Sequence, residues 1–181
     1  MVNKIDAFDS EGNSNNDLIV SEYNDRKHRH YVSVSSKTIN GLKLIVDSGA
    51  DTTIISKRTL CNALDITENE LNDKLIVYKT QTLGFANGEK VETKIYPCCI
   101  LNAKLGRLII PRFYFTILDI NSNDLLGSDF LDFCKIEKDV NSPFRIVNFD
   151  YDNYKSDFVT RYDFSVNGYI DSCELNYFGG E

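Results

Sequence analysis

Basic side chains are outnumbered in this chain, and histidine is scarce. It carries 20 lysines and arginines against 27 aspartates and glutamates, a formal net charge of −7, and only two histidines. The acidic balance leaves no reservoir of positive charge to condense onto a phosphate backbone, so nucleic acid is not an expected partner. His28 and His30 would share a face of an extended segment near Asp25, but a zinc site needs at least three ligands, so no metal and no cofactor are expected. Apolar runs are short: Leu42 to Val46 is already interrupted by Lys43. Nothing approaches the roughly 20 residues of a membrane span, and no membrane association is expected. Residues 1–9 lack the basic and apolar regions of a secretory signal, and there is no Asn-x-Ser/Thr acceptor. The five cysteines are odd in number, and the adjacent Cys98 and Cys99 would point to opposite faces of a strand. They read as reduced thiols of a cytoplasmic protein rather than a disulfide framework. Cys61 has no histidine near it in sequence, which speaks against cysteine catalysis.

What is present is the composition of an ordinary globular protein, 42% apolar and 26% charged over 181 residues. That length serves one sizeable core or two small ones and excludes a large two-lobed enzyme. Three parts are expected. Residues 1–27 read as a flexible acidic N-terminal arm whose one strand-forming segment is Asp17 to Ser21. Residues 28–149 form the body, with short β-branched runs separated by Gly, Asn and Pro. Residues 150–181 form an aromatic, acidic C-terminal extension. Nine of the 21 aromatic rings fall in 148–181, too many to leave in water, so this segment is expected to pack on the body or on a partner subunit.

Within the body, Tyr31 to Ser35 alternates with period two, and Asn40-Gly41 offers a hairpin turn into a strand that runs to Asp47. Ser56 can cap a short helix through Leu64, and Glu68 to Asp73 is at most another turn of helix. Tyr78 to Phe85 and Val91 to Ile100 flank the hairpin signal Ala86-Asn87-Gly88. Strand is expected on both sides of Pro111 but broken there, because proline cannot donate to a ladder. Gly127 to Phe133 reads as a short helix, and Cys134 to Lys138 and Phe144 to Phe149 as a terminal pair of strands.

Two stretches could carry chemistry. Leu44 to Ile55 ends an apolar strand in Asp47-Ser48-Gly49-Ala50, which places a carboxylate at the rim of a core, where something must satisfy it. Gly49 permits a tight turn whose N–H groups can reach the Asp47 oxygens, although the tripeptide taken alone reads as a plain turn. The second is Leu125-Leu126-Gly127-Ser128-Asp129-Phe130-Leu131, where Gly127 suits a close backbone approach; a helix start after a buried strand would explain it equally well.

Taken in order, the Asp47-Ser48-Gly49-Ala50 motif, the glycine-tipped hairpin from Gly84 to Val91 and Leu125-Leu126-Gly127 resemble the retropepsin-like aspartic proteases of retroviruses, retrotransposons and some cellular proteins. The resemblance spans roughly Tyr31 to Phe149. It implies an all-β, single-lobed acid protease fold, a closed or orthogonal β barrel with a short C-terminal-side helix, assembled as a homodimer. It implies an aspartic endopeptidase acting on a peptide or protein, with Asp47 as the catalytic residue. Because the chain holds one such motif, the second carboxylate of the dyad would come from a second subunit.

The same resemblance implies that Ser48, Gly49 and Thr53 shape the active-site loop. Gly49, Ala50, Asp51, Ile54 and Leu125 would bind substrate. Phe85, Ala86, Asn87, Gly88 and Val91 would form a flap, and Leu126 and Gly127 would support the loop. Ser128 stands where viral members usually carry an arginine paired with the partner's counterpart of Asp51, which weakens the case for a viral-type dimer contact. Two other readings stay open: a non-catalytic or autoinhibited dimerisation and peptide-binding module, and, more distantly, a metal-dependent hydrolase using Asp47 and Asp51.

Overall fold

The computed structural model describes residues 17–24, 26–75, 77–84, 87–137, 145–162 and 177–178. Expectations that fall on 1–16, on Phe85 and Ala86 of the hairpin, on 138–144 (Lys138 and Phe144 of the terminal strand pair), on 163–176 and on 179–181 lie outside the described residues. The rest is mostly β, in eleven strands with four helices. The strands are β1 (Ile19–Val20), β2 (Glu22–Asn24), β3 (Arg29–Val34), β4 (Leu42–Val46), β5 (Lys79–Gly84), β6 (Lys90–Leu105), β7 (Leu108–Leu118), β8 (Leu125–Leu126), β9 (Cys134–Glu137), β10 (Arg145–Phe149) and β11 (Tyr177–Phe178). The helices are α1 (Lys57–Leu64), α2 (Glu68–Lys74), α3 (Ser128–Leu131) and α4 (Tyr151–Arg161).

The strands order as β2-β3-β4-β8, as β11-β6-β5 with β7 on β6, and as β1-β10-β9. The closed barrel expected from the resemblance is not formed among the described residues. Among the described residues the first two sheets are joined by the bridge Ser35↔Lys104 and through Ile54, which bridges both Thr116 of β7 and Leu125 of β8, and they share one core. That core holds Leu44, Ile55, Leu60, Ile100, Phe113, Phe115 and Phe130, all without solvent exposure. Burying each such side chain is worth about 1.5–3 kcal/mol.

Three local expectations need correction. β7 runs unbroken through Pro111: Leu101↔Arg112 and Ala103↔Ile110 pair on either side of it. Asn102, between those two partners, takes a left-handed backbone (φ 51°), so the ladder skips one pair where proline has no N–H to give. The turn after β3 is longer than an Asn-Gly pair. Ser36 N–H donates to Ile39 O at 2.8 Å, and Ile39 is tucked into the core. Helix is also more abundant than an all-β reading allows. α2 is a full helix because Thr67 and Glu70 close a reciprocal capping box.

α4 forms because Asp150 caps it, accepting from Asn153 N–H, and because Tyr151, Tyr154 and Phe158 recur at helical spacing. Its buried face lies on β7: Phe158 stacks on Tyr114 with ring centroids 4.1 Å apart. The Tyr154 hydroxyl accepts from Tyr114 N–H at 2.6 Å. Residues 17–24 carry β1 and β2, which pair with β10 and β3. Leu18 and Ile19 are buried there beside Gly106 (φ 60°), where an added Cβ would collide with Leu18 O.

Candidate active site

Asp47 stands where β4 leaves its sheet. β4 pairs parallel with β8 through Ile45↔Leu125 and Val46↔Leu126, and Asp47 N–H makes the last bond, to Leu126 O at 2.9 Å. The chain then turns: Ala50 N–H donates to Asp47 O at 3.1 Å, and Gly49 N–H donates to Asp47 Oδ1 at 3.0 Å. A side chain at Gly49 would press against that oxygen, its Cβ only 3.3 Å away. Asp47 is half-buried while Ser48, Gly49 and Asp51 are exposed, so a carboxylate is presented at the lip of the loop with its neighbours open to solvent.

The loop returns through Ile54, which exchanges hydrogen bonds with Leu125 at 2.9 and 2.8 Å. β8 is therefore threaded between β4 and the returning strand. On its other side the returning strand is bonded to β7, by Thr116 N–H to Thr53 O at 2.9 Å and Ile55 N–H to Thr116 O at 3.2 Å. Ala50, Ile54 and Leu125 are half-buried near this crossing.

Beneath the loop is a buried polar network. Thr53 N–H donates to Asp129 Oδ2 at 2.9 Å, and the Thr53 hydroxyl contacts Asp129 Oδ1 at 2.5 Å. Gly127 N–H donates to Thr53 Oγ1 at 3.1 Å. The Thr53 hydroxyl thus accepts from Gly127 and sends its own proton to Asp129, so both Asp129 oxygens act as acceptors. Burial pushes the Asp129 carboxyl above its ordinary range, against the pull of the Thr53 donors and of Arg161, whose Nη1 lies 3.6 Å from Oδ2. Gly127 has no room for a side chain: an added Cβ would lie 2.7 Å from Ala50 O and 2.8 Å from Thr52 O. Ser128 N–H closes the contact on Ala50 O at 2.7 Å.

To one side, Asp124 fastens the approach to β8 onto α1, accepting from Ser56 N–H at 2.7 Å and from the Thr59 hydroxyl at 2.6 Å. Asp119 pairs with Lys57 at 2.7 Å and accepts from Tyr96 OH at 3.0 Å. Burial opposes the Asp119 anion, but these partners outweigh it and hold its carboxyl below the usual range. Burial and the Asp119 hydrogen bond push the Tyr96 phenol up to about 12. A cleft of about 540 Å³ opens here between α1 and residues 118–122. A shallower depression of about 640 Å³ over Tyr23, Tyr31 and Lys43 is lined by no residue of the Asp47 loop.

The hairpin of β5 and β6 pairs up to Leu83↔Val91 and Gly84↔Lys90. At its tip Gly88 has φ 84° and Glu89 N–H donates to Asn87 Oδ1 at 2.9 Å. Val91 is half-buried and most of β5 is exposed.

Asp47, Ser48, Gly49, Ala50, Thr53, Ile54, Leu125, Leu126 and Gly127 come together in one crossing of chain segments, and Asp51 borders it from the exposed side. Asn87, Gly88 and Val91 lie on the separate hairpin. Sequence reasoning passed over Asp129, Asp124, Asp119 and Arg161 as site residues. Asp129 carried the same signal as Asp47, a lone carboxylate among apolar neighbours; Asp124 and Asp119 have no local signature, since their partners lie far away in sequence, and the local pairing of Arg161 with Asp157 gives no hint of its distant partner Asp129.

No protein-family model matches the chain, and no curated protein does. Among solved structures, similar folds are retropepsin-like aspartic proteases. One is a retropepsin-like aspartic protease from Rickettsia conorii, with 23% identity over 70% of this chain and 96% of that one and a TM-score of 0.49. Another is the retroviral protease-like domain of Ddi1 from Leishmania major, with 21% identity over 64% and 91% and a TM-score of 0.39. A third is EIAV protease complexed with the inhibitor HBY-793, with 18% identity over 60% and 89% and a TM-score of 0.36.

Proposed function

We propose that the chain is an aspartic endopeptidase that works as a homodimer, with Asp47 of each subunit supplying half of a general acid/base dyad. The observation that carries this reading is the Asp47 loop. A half-buried carboxylate accepts from Gly49 N–H at the end of β4, on a turn locked from below by Thr53 and Gly127. One such loop holds one carboxylate, and the chemistry needs two, about 3 Å apart and sharing a proton.

In the reaction, the ionised carboxylate takes a proton from water as the water oxygen bonds to the scissile carbonyl carbon. The protonated carboxyl gives its proton to the carbonyl oxygen. The tetrahedral diol then collapses: the C–N bond breaks, the amine leaves with a proton, and a carboxylic acid remains. Ser48 braces the two loops across the twofold axis. Gly49 and Asp51 bind the substrate backbone, Ala50, Ile54 and Leu125 contact its side chains, and the hairpin carrying Asn87, Gly88 and Val91 folds over it.

The test is hydrolysis of a peptide mixture from about pH 3 to about pH 7, with a pepstatin-type inhibitor, a chelator and the D47N variant as arms. Cleavage that the inhibitor and D47N abolish and the chelator leaves alone is the expected result, alongside a dimer in sedimentation. A dimer that cleaves nothing would instead support the alternative, a non-catalytic or autoinhibited peptide-binding module. Chelator sensitivity would favour the metal-dependent reading.

A further inference from the structure

We propose that the last turn of α4 positions the Asp47 loop: Arg161 holds Asp129 as the anion that fixes Thr53, and Tyr162 holds the β7 residue that pairs with the strand leaving the loop. The inference deepens the endopeptidase reading and rests on it for its effect on activity, but the bracing itself is a property of the fold.

Two independent contacts reach the loop from this one helix end. Arg161 lies 3.6 Å from Asp129 Oδ2 and is itself oriented by Asp157, one turn earlier on the same helix, at 2.7 Å. The hydrogen-bond directions around Thr53 require Asp129 to accept at both oxygens, and a buried carboxylate in that role needs a counter-charge. Arg161 supplies it from outside the loop. One residue further on, the Tyr162 hydroxyl bonds the Thr116 hydroxyl at 2.9 Å. Thr116 N–H and O are the two groups that hold Thr53 and Ile55 to β7. The loop between Asp47 and Thr53 is thus gripped at its floor and at its exit by Arg161, the last residue of α4, and Tyr162, its C-cap. The helix is in turn fixed by the stacking of Phe158 on Tyr114 and by the bond between Tyr154 and the Tyr114 backbone.

The groups around Asp129 set the sign of the pH effect. From α4 it faces Arg161, Tyr154 and Tyr162, with Asp157 behind the arginine; from the loop it faces the neutral Thr53, and from its own helix the Phe130 N–H. Both phenols are pushed up by burial and stay neutral, so Arg161 is the facing charge that favours the carboxylate. Without it the Asp129 carboxyl rises further, and the protonated form, which can no longer accept at both oxygens, persists to higher pH.

The experiment uses the full chain with R161Q, R161K and Y162F, read by residue-resolved amide hydrogen exchange and by the pH dependence of peptide hydrolysis. R161Q is expected to speed exchange at Thr53 and Gly127 about tenfold or more, the scale of one weakened charge-assisted bond, while the β6–β7 ladder keeps its protection. It should lower kcat more than it changes KM and move the acid limb of activity to higher pH. R161K should restore part of each effect. Y162F should speed exchange at Thr116 and Ile55, and it decides the matter if R161Q does not fold. Wild-type exchange at Thr53 and Gly127 in R161Q, or at Thr116 and Ile55 in Y162F, would overturn the proposal, as would an unmoved acid limb in an active R161Q enzyme. If the wild type cleaves nothing, the endopeptidase reading fails and exchange alone decides the bracing.

Discussion

The Asp47 loop and the tip of the β5–β6 hairpin are both turns that rely on glycine, yet they are held in opposite ways. At the loop, Gly127 is glycine because backbone atoms of residues 50 and 52 occupy the space where its side chain would be. At the hairpin, Gly88 is glycine because its φ of 84° suits no other residue well, while nothing lies within 4 Å of where its Cβ would be. The loop is placed by hydrogen bonds from β7, β8 and α3. Among the described residues, the tip is held by the ladder of its own two strands and by the Asn87 side chain. Under the proposed function that difference has a purpose: a platform for a catalytic carboxylate is over-determined, and a hairpin that would close over a peptide is not.

Breaking the platform should cost most. D47N is expected to reduce peptide hydrolysis about 10³-fold or more, with the fold kept, because the asparagine carbonyl can still accept from Gly49 N–H; circular dichroism and sedimentation check the latter. G127A drives a methyl group into backbone that cannot yield, a loss of about 3 kcal/mol in chemical denaturation. T53V keeps the shape but removes the hydroxyl between Gly127 and Asp129, a loss of about 2 kcal/mol, or about 4–8 °C in Tm. On the hairpin, G88A meets no neighbour and pays only for its left-handed backbone, about 1 kcal/mol. G88A as destabilising as G127A would erase the contrast between the two regions.

The smallest effect concerns the flank of the platform. The Asp119 carboxyl is held low in the folded chain, so its pairing with Lys57 contributes stability above the ordinary carboxylate range, and that contribution disappears as pH falls through the lowered folded value. The stability difference between wild type and K57M, followed by urea denaturation, should therefore be largest near neutrality and shrink in acid. A difference constant with pH would show that Lys57 acts through its stem rather than its charge.

The chain's own pattern was enough to place Asp47 at the end of a strand, to put Gly49 N–H within reach of its oxygens, and to locate the hairpin around Asn87 and Gly88. Each of these depends on neighbours a few residues apart, where backbone geometry leaves few choices. α4 was legible too, in Asp150 and in the spacing of Tyr151, Tyr154 and Phe158, but counting rings without their period concealed it. The closed barrel, the break at Pro111 and the short turn at Asn40 failed for another reason: each depends on what a distant segment offers, such as Asn102 opposite the proline or the core site that takes Ile39. The same holds for the support of the site. Asp129 meets Thr53 across 76 positions of chain, and Arg161 reaches Asp129 from a helix outside the motif-bearing stretch. Local sequence decides which residues can form a turn or present a carboxylate; only tertiary packing decides which buried donor, acceptor or counter-charge completes it, because a buried ion can be paid for only by groups that folding brings into contact.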